Sequence, residues 1–145
     1  MFTREQAIQD ILLMNGENAI YIFSLGYISR TAYKLCEGKY HAFYMLGSMG
    51  LTRAIAQGMA DFTKRNIVVV RGDGDFLMND KDPNHYSPDI EEYILSNNMY
   101  ESTGGQKCIP IKGHYDIEPS PPDPRVPKDP KEIARDIIHC LAGKR

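Results

Sequence analysis

The sequence predicts an α/β domain of reduced size built on a parallel sheet, and three observations predict it. Short, continuously apolar runs rich in β-formers recur along the chain, helical patterns separate them, and glycine-containing turns follow them. Such runs suit strands covered on both faces, and alternation with helices is the mark of a parallel sheet whose ligands bind beyond the strands' carboxyl ends. A length of 145 residues with 42% hydrophobic and 25% charged content fits one domain with a modest core.

The first element is a helix: Thr3 and Gln6 form a capping-box pair, Ile8, Ile11 and Leu12 make one stripe, and Gly16 stops it. Ala19 to Phe23 is a buried strand followed by the loop Ser24-Leu25-Gly26-Tyr27. Ser29 is placed as the cap of a second helix reaching about Cys36. Phe43 to Leu46 is a second strand, ending at Gly47-Ser48-Met49-Gly50, and a helix runs from about Met49 to Phe62. Asn66 to Val70 is the strongest strand pattern in the chain.

Between Asn79 and Asp89 the chain is polar and turn-like, so a crossover helix there is missing or very short. Ile90 to Leu95 is assigned as a strand, and Ser96 to Gln106 as a loop of polar residues with glycines. Six of the nine prolines lie between Pro119 and Pro130, which predicts an extended surface tail outside the sheet. Asp129, Pro130 and Glu132 supply an N-cap, an N1 proline and an N3 acid for a last helix ending near Gly143. The expected organisation is a ligand-binding domain over residues 1–117, with the proline-rich tail and C-terminal helix, residues 118–145, packed on it.

Composition narrows the function. A net charge of -2 offers no basic field for nucleic acid, so a bound anion must be held by local geometry and a metal. Cys36, Cys108 and Cys140 are odd in number and widely spaced, which suits neither a disulfide framework nor paired zinc ligands and points to a reducing compartment. No apolar run approaches the roughly 18 residues that span a membrane. The expectation is a cytoplasmic protein with neither nucleic acid nor membrane as partner.

The chemistry concentrates at Gly72-Asp73-Gly74, directly after the Val68 to Arg71 run, where a carboxylate can project over the strand ends while flanking backbone closes on a phosphate. Alone this is an ordinary turn dipeptide. Asn97 lies twenty-four positions on, after another apolar run, and its amide oxygen suits a hard cation that also takes diphosphate oxygens. Asn97-Asn98 can equally be a loop that favours left-handed backbone geometry. His41, before the second strand, is read as a surface residue and not as a catalytic one.

Three segments in order, Phe43 to Leu51, Gly72 to Asn79 and Tyr100 to Gln106, resemble thiamine-diphosphate (ThDP) dependent decarboxylases acting on sulfopyruvate or phosphonopyruvate. The resemblance covers most of residues 1–106 and implies a diphosphate-binding domain carrying ThDP and Mg²⁺. It implies Asp73 and Asn97 as side-chain metal ligands, with Met99 adding its main-chain carbonyl. It further implies cofactor contacts from Gly47, Ser48 and Met49 on the pyrimidine side, and from Ser24, Gly26, Gly72, Gly74, Asp75, Thr103 and Gly104 around the diphosphate. No catalytic residue is expected on this chain, because the activating glutamate of such enzymes belongs to a pyrimidine-binding domain. The resemblance therefore implies an α-type partner subunit, a hetero-oligomer with self-association, and a small 2-oxo acid substrate.

This chain departs from the family in two shortened regions, after the Gly-Asp-Gly motif and after Gln106, and in Asp75 and Ser96, the latter standing where an aspartate is usual. Asp75 adds repulsion beside a diphosphate unless a cation or backbone donor offsets it. Two other outcomes stay open on the sequence: a ThDP-dependent carboligase subunit, and a degenerate binding or structural subunit without turnover.

Overall fold

The structure is a computed structural model and describes residues 1–79, 87–121, 124, 127 and 129–143. Helix α1 (Arg4–Asn15) starts as its sequence predicts: the Thr3 hydroxyl accepts from the Gln6 N–H, the Gln6 side chain accepts from the Thr3 N–H, and Gly16 closes the other end. Strand β1 (Ile20–Phe23) leads into helix α2 (Tyr27–Cys36), then strand β2 (His41–Tyr44) and helix α3 (Thr52–Ala60). Strand β3 (Ile67–Gly72) passes directly into the short helix α4 (Asp73–Met78), and strand β4 (Ile90–Ser96) follows. Strands β5 (Met99–Tyr100) and β6 (Gln106–Lys107) flank a single 3₁₀ turn at Glu101–Thr103, strand β7 (Tyr115–Asp116) is two residues long, and helix α5 (Pro130–Ala142) is the last element.

The main sheet has the order β2-β1-β3-β4-β7, and every neighbouring pair is parallel. Burial alternates by face, as a strand's two-residue period requires. Tyr21, Phe23, Val68 and Val70 pack with Ala7, Ile8 and Ile11 of α1 and Ile28 and Ala32 of α2, while Ile22, Ile67 and Val69 pack with Ala56 of α3. Complete burial of β1 explains its uninterrupted apolar sequence, and each such side chain contributes about 1.5–3 kcal/mol by leaving water. Ile133 of α5 joins the first of these clusters, so the C-terminal helix is anchored on the same core.

Several expectations are corrected. The N-cap of α2 is Gly26, not Ser29. Ser29 sits buried inside the helix and donates its hydroxyl to the Ser24 carbonyl at 2.7 Å, with the Phe23 and Met45 carbonyls 3.3 Å away. It therefore ties the ends of β1 and β2 together instead of starting a helix. Strand β2 ends at Tyr44, two residues short of Leu46, because the chain turns at Met45 after one more bond to Phe23. The segment assigned as a polar loop contains the β5–β6 hairpin, with Met99 opposite Lys107 and Tyr100 opposite Gln106.

A fifth strand, β7, also escaped the sequence reading. Two residues carry too little pattern to register, and its place comes from partners: Leu95 and Ser96 on one side, and a bridge from Phe2 to Ile117 at its end. The polar stretch from Asn79 to Asp89 lies largely outside the described residues. What is described of that crossover is α4, a six-residue helix that begins on the Gly-Asp-Gly motif itself.

Burial holds the Cys36 thiol in its neutral form, pushing its pKa up to about 12 from an ordinary value near 9. Between those two values the unfolded chain binds fewer protons than the folded one, so stability falls with rising pH, by at most about 1.4 kcal/mol per unit from this group. Burial also raises the pKa values of Tyr21 and Tyr44, which steepens the loss above the ordinary tyrosine value of 10. Urea titrations at pH 8, 9 and 10 are expected to show midpoints constant up to about 9 and declining beyond. At pH 8 a thiol reagent should titrate the half-buried Cys108 and Cys140 in the folded protein and reach Cys36 only after denaturation.

Candidate functional site

Because the sheet is parallel, the segments after β1, β2, β3 and β4 all leave it at one end. The chain moves from β1 out to β2 and then returns across β1 to β3, so the topological switch point lies between β1 and β3. Crevices form there because successive connections part to opposite faces of the sheet. A cavity occupies this position, bounded by Ser24 and Leu25 after β1, Gly72 to Asp75 after β3, Met49 after β2, and Asn97, Met99 and Glu101 after β4.

Asp73 is 3% exposed, at the first position of α4. Its Oδ2 accepts from the Asn97 N–H at 2.9 Å and lies 3.4 Å from the Met99 N–H. Its Oδ1 is buried and has no hydrogen-bond partner among the described residues. A buried carboxylate oxygen without a donor is costly unless a ligand or cation meets it. Asn97 Oδ1 accepts from the Met99 N–H at 3.1 Å, and Asn97 Nδ2 donates to Glu101 at 2.8 Å. Asn98 takes the left-handed conformation at φ 57°, so the loop alternative for this pair holds for Asn98, while Asn97 is held against Asp73.

Asp75 is placed differently from a ligand-facing residue. Its Oδ1 accepts from the Gly50 N–H at 2.9 Å and the Thr52 hydroxyl at 2.8 Å, and its Oδ2 lies 3.0 Å from Arg71 Nε. These donors offset the anion's repulsion, and the carboxylate joins the loop after β2 to the start of α4. Arg71, fully buried, also donates to the Asp75 carbonyl at 2.7 Å and to Glu92 at 2.9 Å, and Glu92 in turn binds Arg53 at 2.7 Å. Ser96 is buried, with its hydroxyl 3.4 Å from the Ile111 carbonyl.

Of the residues singled out from the sequence, Ser24, Met49, Gly72, Asp73, Gly74, Asp75, Asn97 and Met99 line the cavity. Gly26, Gly47, Ser48, Thr103 and Gly104 stand outside its lining. Gly26 has φ 83° and an added Cβ would meet Ser102 Oγ at 2.8 Å, so the turn after β1 and the 3₁₀ turn are in direct contact. Gly74 is needed for space, since a Cβ there would lie 3.0 Å from the Tyr100 ring and 3.1 Å from Met49 Cε. Gly47 and Ser48 form a left-handed pair, at φ 77° and 57°, immediately before Met49. For serine this conformation stores strain of about 1 kcal/mol or more. The Thr103 hydroxyl lies 3.4 Å from the Tyr100 carbonyl. His41 lies on edge strand β2, beside a second cavity lined in part by Tyr33, Tyr40 and Ile137.

The sequence reading missed Arg4, Tyr27 and Glu101. Arg4, 2% exposed in the first turn of α1, lines the same cavity, binds Glu101 at 2.7 Å and lies over the Tyr27 ring at 5.3 Å. No local pattern links positions 4 and 101, and only a charged residue on the buried stripe of α1 hinted at the role. Among the described residues no group of three or more His, Cys, Asp or Glu side chains forms a metal cluster. A cation at Asp73 would therefore draw its other oxygens from amides, main chain, water or a ligand.

Fold and site thus define an α/β domain with a ligand crevice at its switch point and, on its lining, a buried carboxylate oxygen without a hydrogen-bond partner among the described residues. The family model of the thiamine pyrophosphate enzyme C-terminal TPP binding domain matches residues 25–141, and the chain belongs to that family. It is 33% identical over 111 residues to a phosphonopyruvate decarboxylase of Streptomyces viridochromogenes, covering 74% of this chain and 28% of that protein. It is 35% identical over 114 residues to the sulfopyruvate decarboxylase subunit beta of Methanothermobacter thermautotrophicus, covering 73% of this chain and 58% of that one. The corresponding subunit of Methanocaldococcus jannaschii is 34% identical over 112 residues. The chain spans just under three fifths of the subunit beta relatives and little more than a quarter of the phosphonopyruvate decarboxylase. Among the described residues no helix is long and apolar enough to cross a membrane.

Proposed function

We infer that this chain is the diphosphate- and Mg²⁺-binding subunit of a two-chain ThDP-dependent decarboxylase whose substrate is a 2-oxo acid bearing a second anionic group, as sulfopyruvate and phosphonopyruvate do. The observation that carries the reading is the partnerless, buried Oδ1 of Asp73, held in place by the main chain of Asn97 and Met99 within a matched ThDP-binding domain. A hard cation with oxygen ligands satisfies that atom, and Mg²⁺ bound through one carboxylate plus phosphate oxygens fits the donor set. Asp73 and the Asn97 Oδ1 hold the metal, with the Met99 carbonyl as the main-chain ligand.

When bound, the cofactor supplies the nucleophilic carbon and the electron sink for loss of CO₂. The chain's residues bind and orient it. Met49, whose Cε lies close over Gly74, presents an apolar wedge, and the left-handed Gly47-Ser48 pair aims the main chain before it toward the pyrimidine side. Ser24, Gly26, Gly72, Gly74, Thr103 and Gly104 are the turns that close on the diphosphate, and Asp75 fixes the loop that carries Met49.

A partner supplies what this cavity lacks. The acidic side chains on its lining are Asp73, Asp75 and Glu101, and each already has a role in fixing the metal loop or the neighbouring loop. In this reading the activating carboxylate lies on an α-type pyrimidine-binding subunit, in keeping with the relatives named as subunit beta. Leu46, Leu51 and Met78 are 46%, 42% and 56% exposed around the Met49 loop, which supports an apolar partner contact at the cavity mouth.

Co-expression with a pyrimidine-binding subunit is expected to give CO₂ release from sulfopyruvate or phosphonopyruvate that depends on both ThDP and Mg²⁺, and the isolated chain to give none. Equal rates from the isolated chain would overturn the two-chain arrangement. A reconstituted pair that binds ThDP yet releases no CO₂ from either acid would overturn the assigned reaction, and coupling to an added acceptor aldehyde would reassign it as carboligation.

A further inference from the structure

We propose that Glu101 is a positioning residue for the cation site, turning the Asn97 amide so that Oδ1 rather than Nδ2 faces the metal, with Arg4 and the tail residue Ser120 locking Glu101 in that role. This inference rests on the cation-site reading above.

An asparagine side chain has two nearly isosteric ends, only one of which can bind a cation. At Asn97 both ends are fixed by partners of opposite kind. Nδ2 donates to Glu101 Oε2 at 2.8 Å, and Oδ1 accepts from the Met99 N–H at 3.1 Å, leaving a second lone pair. A flipped amide would set Oδ1 against the carboxylate and Nδ2 against an N–H, so both bonds would become repulsive.

Glu101 is itself held from two distant parts of the chain. Arg4 Nη2 binds Oε2 at 2.7 Å, the Ser120 N–H donates to Oε1 at 2.7 Å, and Arg4 Nη2 also lies 3.1 Å from the Ser120 carbonyl. The first turn of α1 and the proline-rich tail thus close on the metal loop. The guanidinium offsets Glu101's charge, so this carboxylate serves as an acceptor for Asn97 and leaves the anionic ligand role to Asp73. Outer-shell partners that orient a ligand in this way typically change metal affinity by about 10–100-fold when removed.

The test is a Mn²⁺ titration followed by electron paramagnetic resonance, on the full chain with ThDP, at a temperature well below every variant's Tm. Glu101→Ala is expected to weaken Mn²⁺ by about 10–100-fold. Glu101→Gln, which keeps one acceptor oxygen for Asn97 and Arg4, is expected to recover most of that loss, as a merely structural role would not require. Ile137→Ala, a core substitution on α5, is expected to lower Tm while leaving Mn²⁺ affinity unchanged. If the single alanine variant does not fold, Arg4→Met with Glu101→Ala leaves no unpaired buried guanidinium and carries the same expected loss.

Affinity within twofold of the wild type in the folded Glu101 variant, or an equal loss in Ile137→Ala, would overturn the positioning role while leaving the cation site standing. A wild-type chain that takes up no Mn²⁺ saturably, even with ThDP and a pyrimidine-binding subunit present, would overturn both.

Discussion

Asp73→Asn is expected to abolish Mg²⁺-dependent ThDP binding while leaving the apo-fold as stable as before. The asparagine oxygen can still accept from the Asn97 and Met99 N–H groups, so the loop keeps its anchor. What disappears is the anionic, partnerless Oδ1, which burdens the apo-protein and is needed only when a cation is present. A loss of at least two orders of magnitude, about 3 kcal/mol, is expected in the cofactor's apparent affinity with Mg²⁺. The apo Tm should stay within a few degrees of the wild type, or rise. Calorimetry for binding and a thermal melt without ligand separate the two effects; a collapse of the apo Tm would show that the charge at Asp73 supports the fold.

Arg71→Met has the largest expected cost to stability. The guanidinium is fully buried at the end of β3 and meets Asp75 Oδ2 at 3.0 Å, the Asp75 carbonyl at 2.7 Å and Glu92 at 2.9 Å. Removing it leaves the Asp75 carboxylate without its cation in a low-dielectric setting, while Glu92 keeps Arg53, and breaking a buried pair in this way typically costs about 3–5 kcal/mol. Against a domain stability of about 5–15 kcal/mol, much of the population would unfold on mild heating. The double variant Arg71→Met with Asp75→Asn removes one orphaned charge along with its partner and should recover part of the loss. Denaturant melts of the two singles and the double measure the coupling directly, and additive effects would show that the pair does not act as a unit.

The parts of the fold legible in the sequence are those set by local rules. The capping box at Thr3, the fully apolar β1 and β3, and the Asp129-Pro130 start of α5 each follow from a handful of adjacent residues. What was not legible depends on distant partners. Ser29 reads as a helix cap because serine prefers that role, but the convergence of β1 and β2 offers its hydroxyl carbonyls inside the helix. Strand β7 exists because Leu95, Ser96 and Phe2 lie beside it, not because of its own two residues.

The site divides in the same way. Gly72-Asp73-Gly74 stood out as a glycine turn after a buried strand, and Asn97 by its spacing from Asp73 and the family resemblance; the structure brings them together by the 2.9 Å bond from the Asn97 N–H to Asp73. Asp75 stood out as a departure from the family that would repel a diphosphate, yet its surroundings turn it into a tie between loops. The pairing of Arg71 and Asp75, four positions apart across the end of a strand, was within reach of a reading that asked why an arginine closes an apolar run. Arg4 and Glu101, ninety-seven positions apart, meet only in the folded chain.

On the proposed function, Asp73 and Asn97 hold a divalent cation against a diphosphate at the switch point of the sheet. A crystal structure of the chain grown with ThDP and Mn²⁺, the metal located by its anomalous signal, tests it most directly. One metal peak is expected at bonding distance from Asp73 Oδ1 and Asn97 Oδ1, about 2.1 Å for Mg²⁺ in the same site, with two diphosphate oxygens beside it. A metal bound at Asp75 or Glu101 instead, or a diphosphate seated in the cavity with no metal against Asp73, would contradict it.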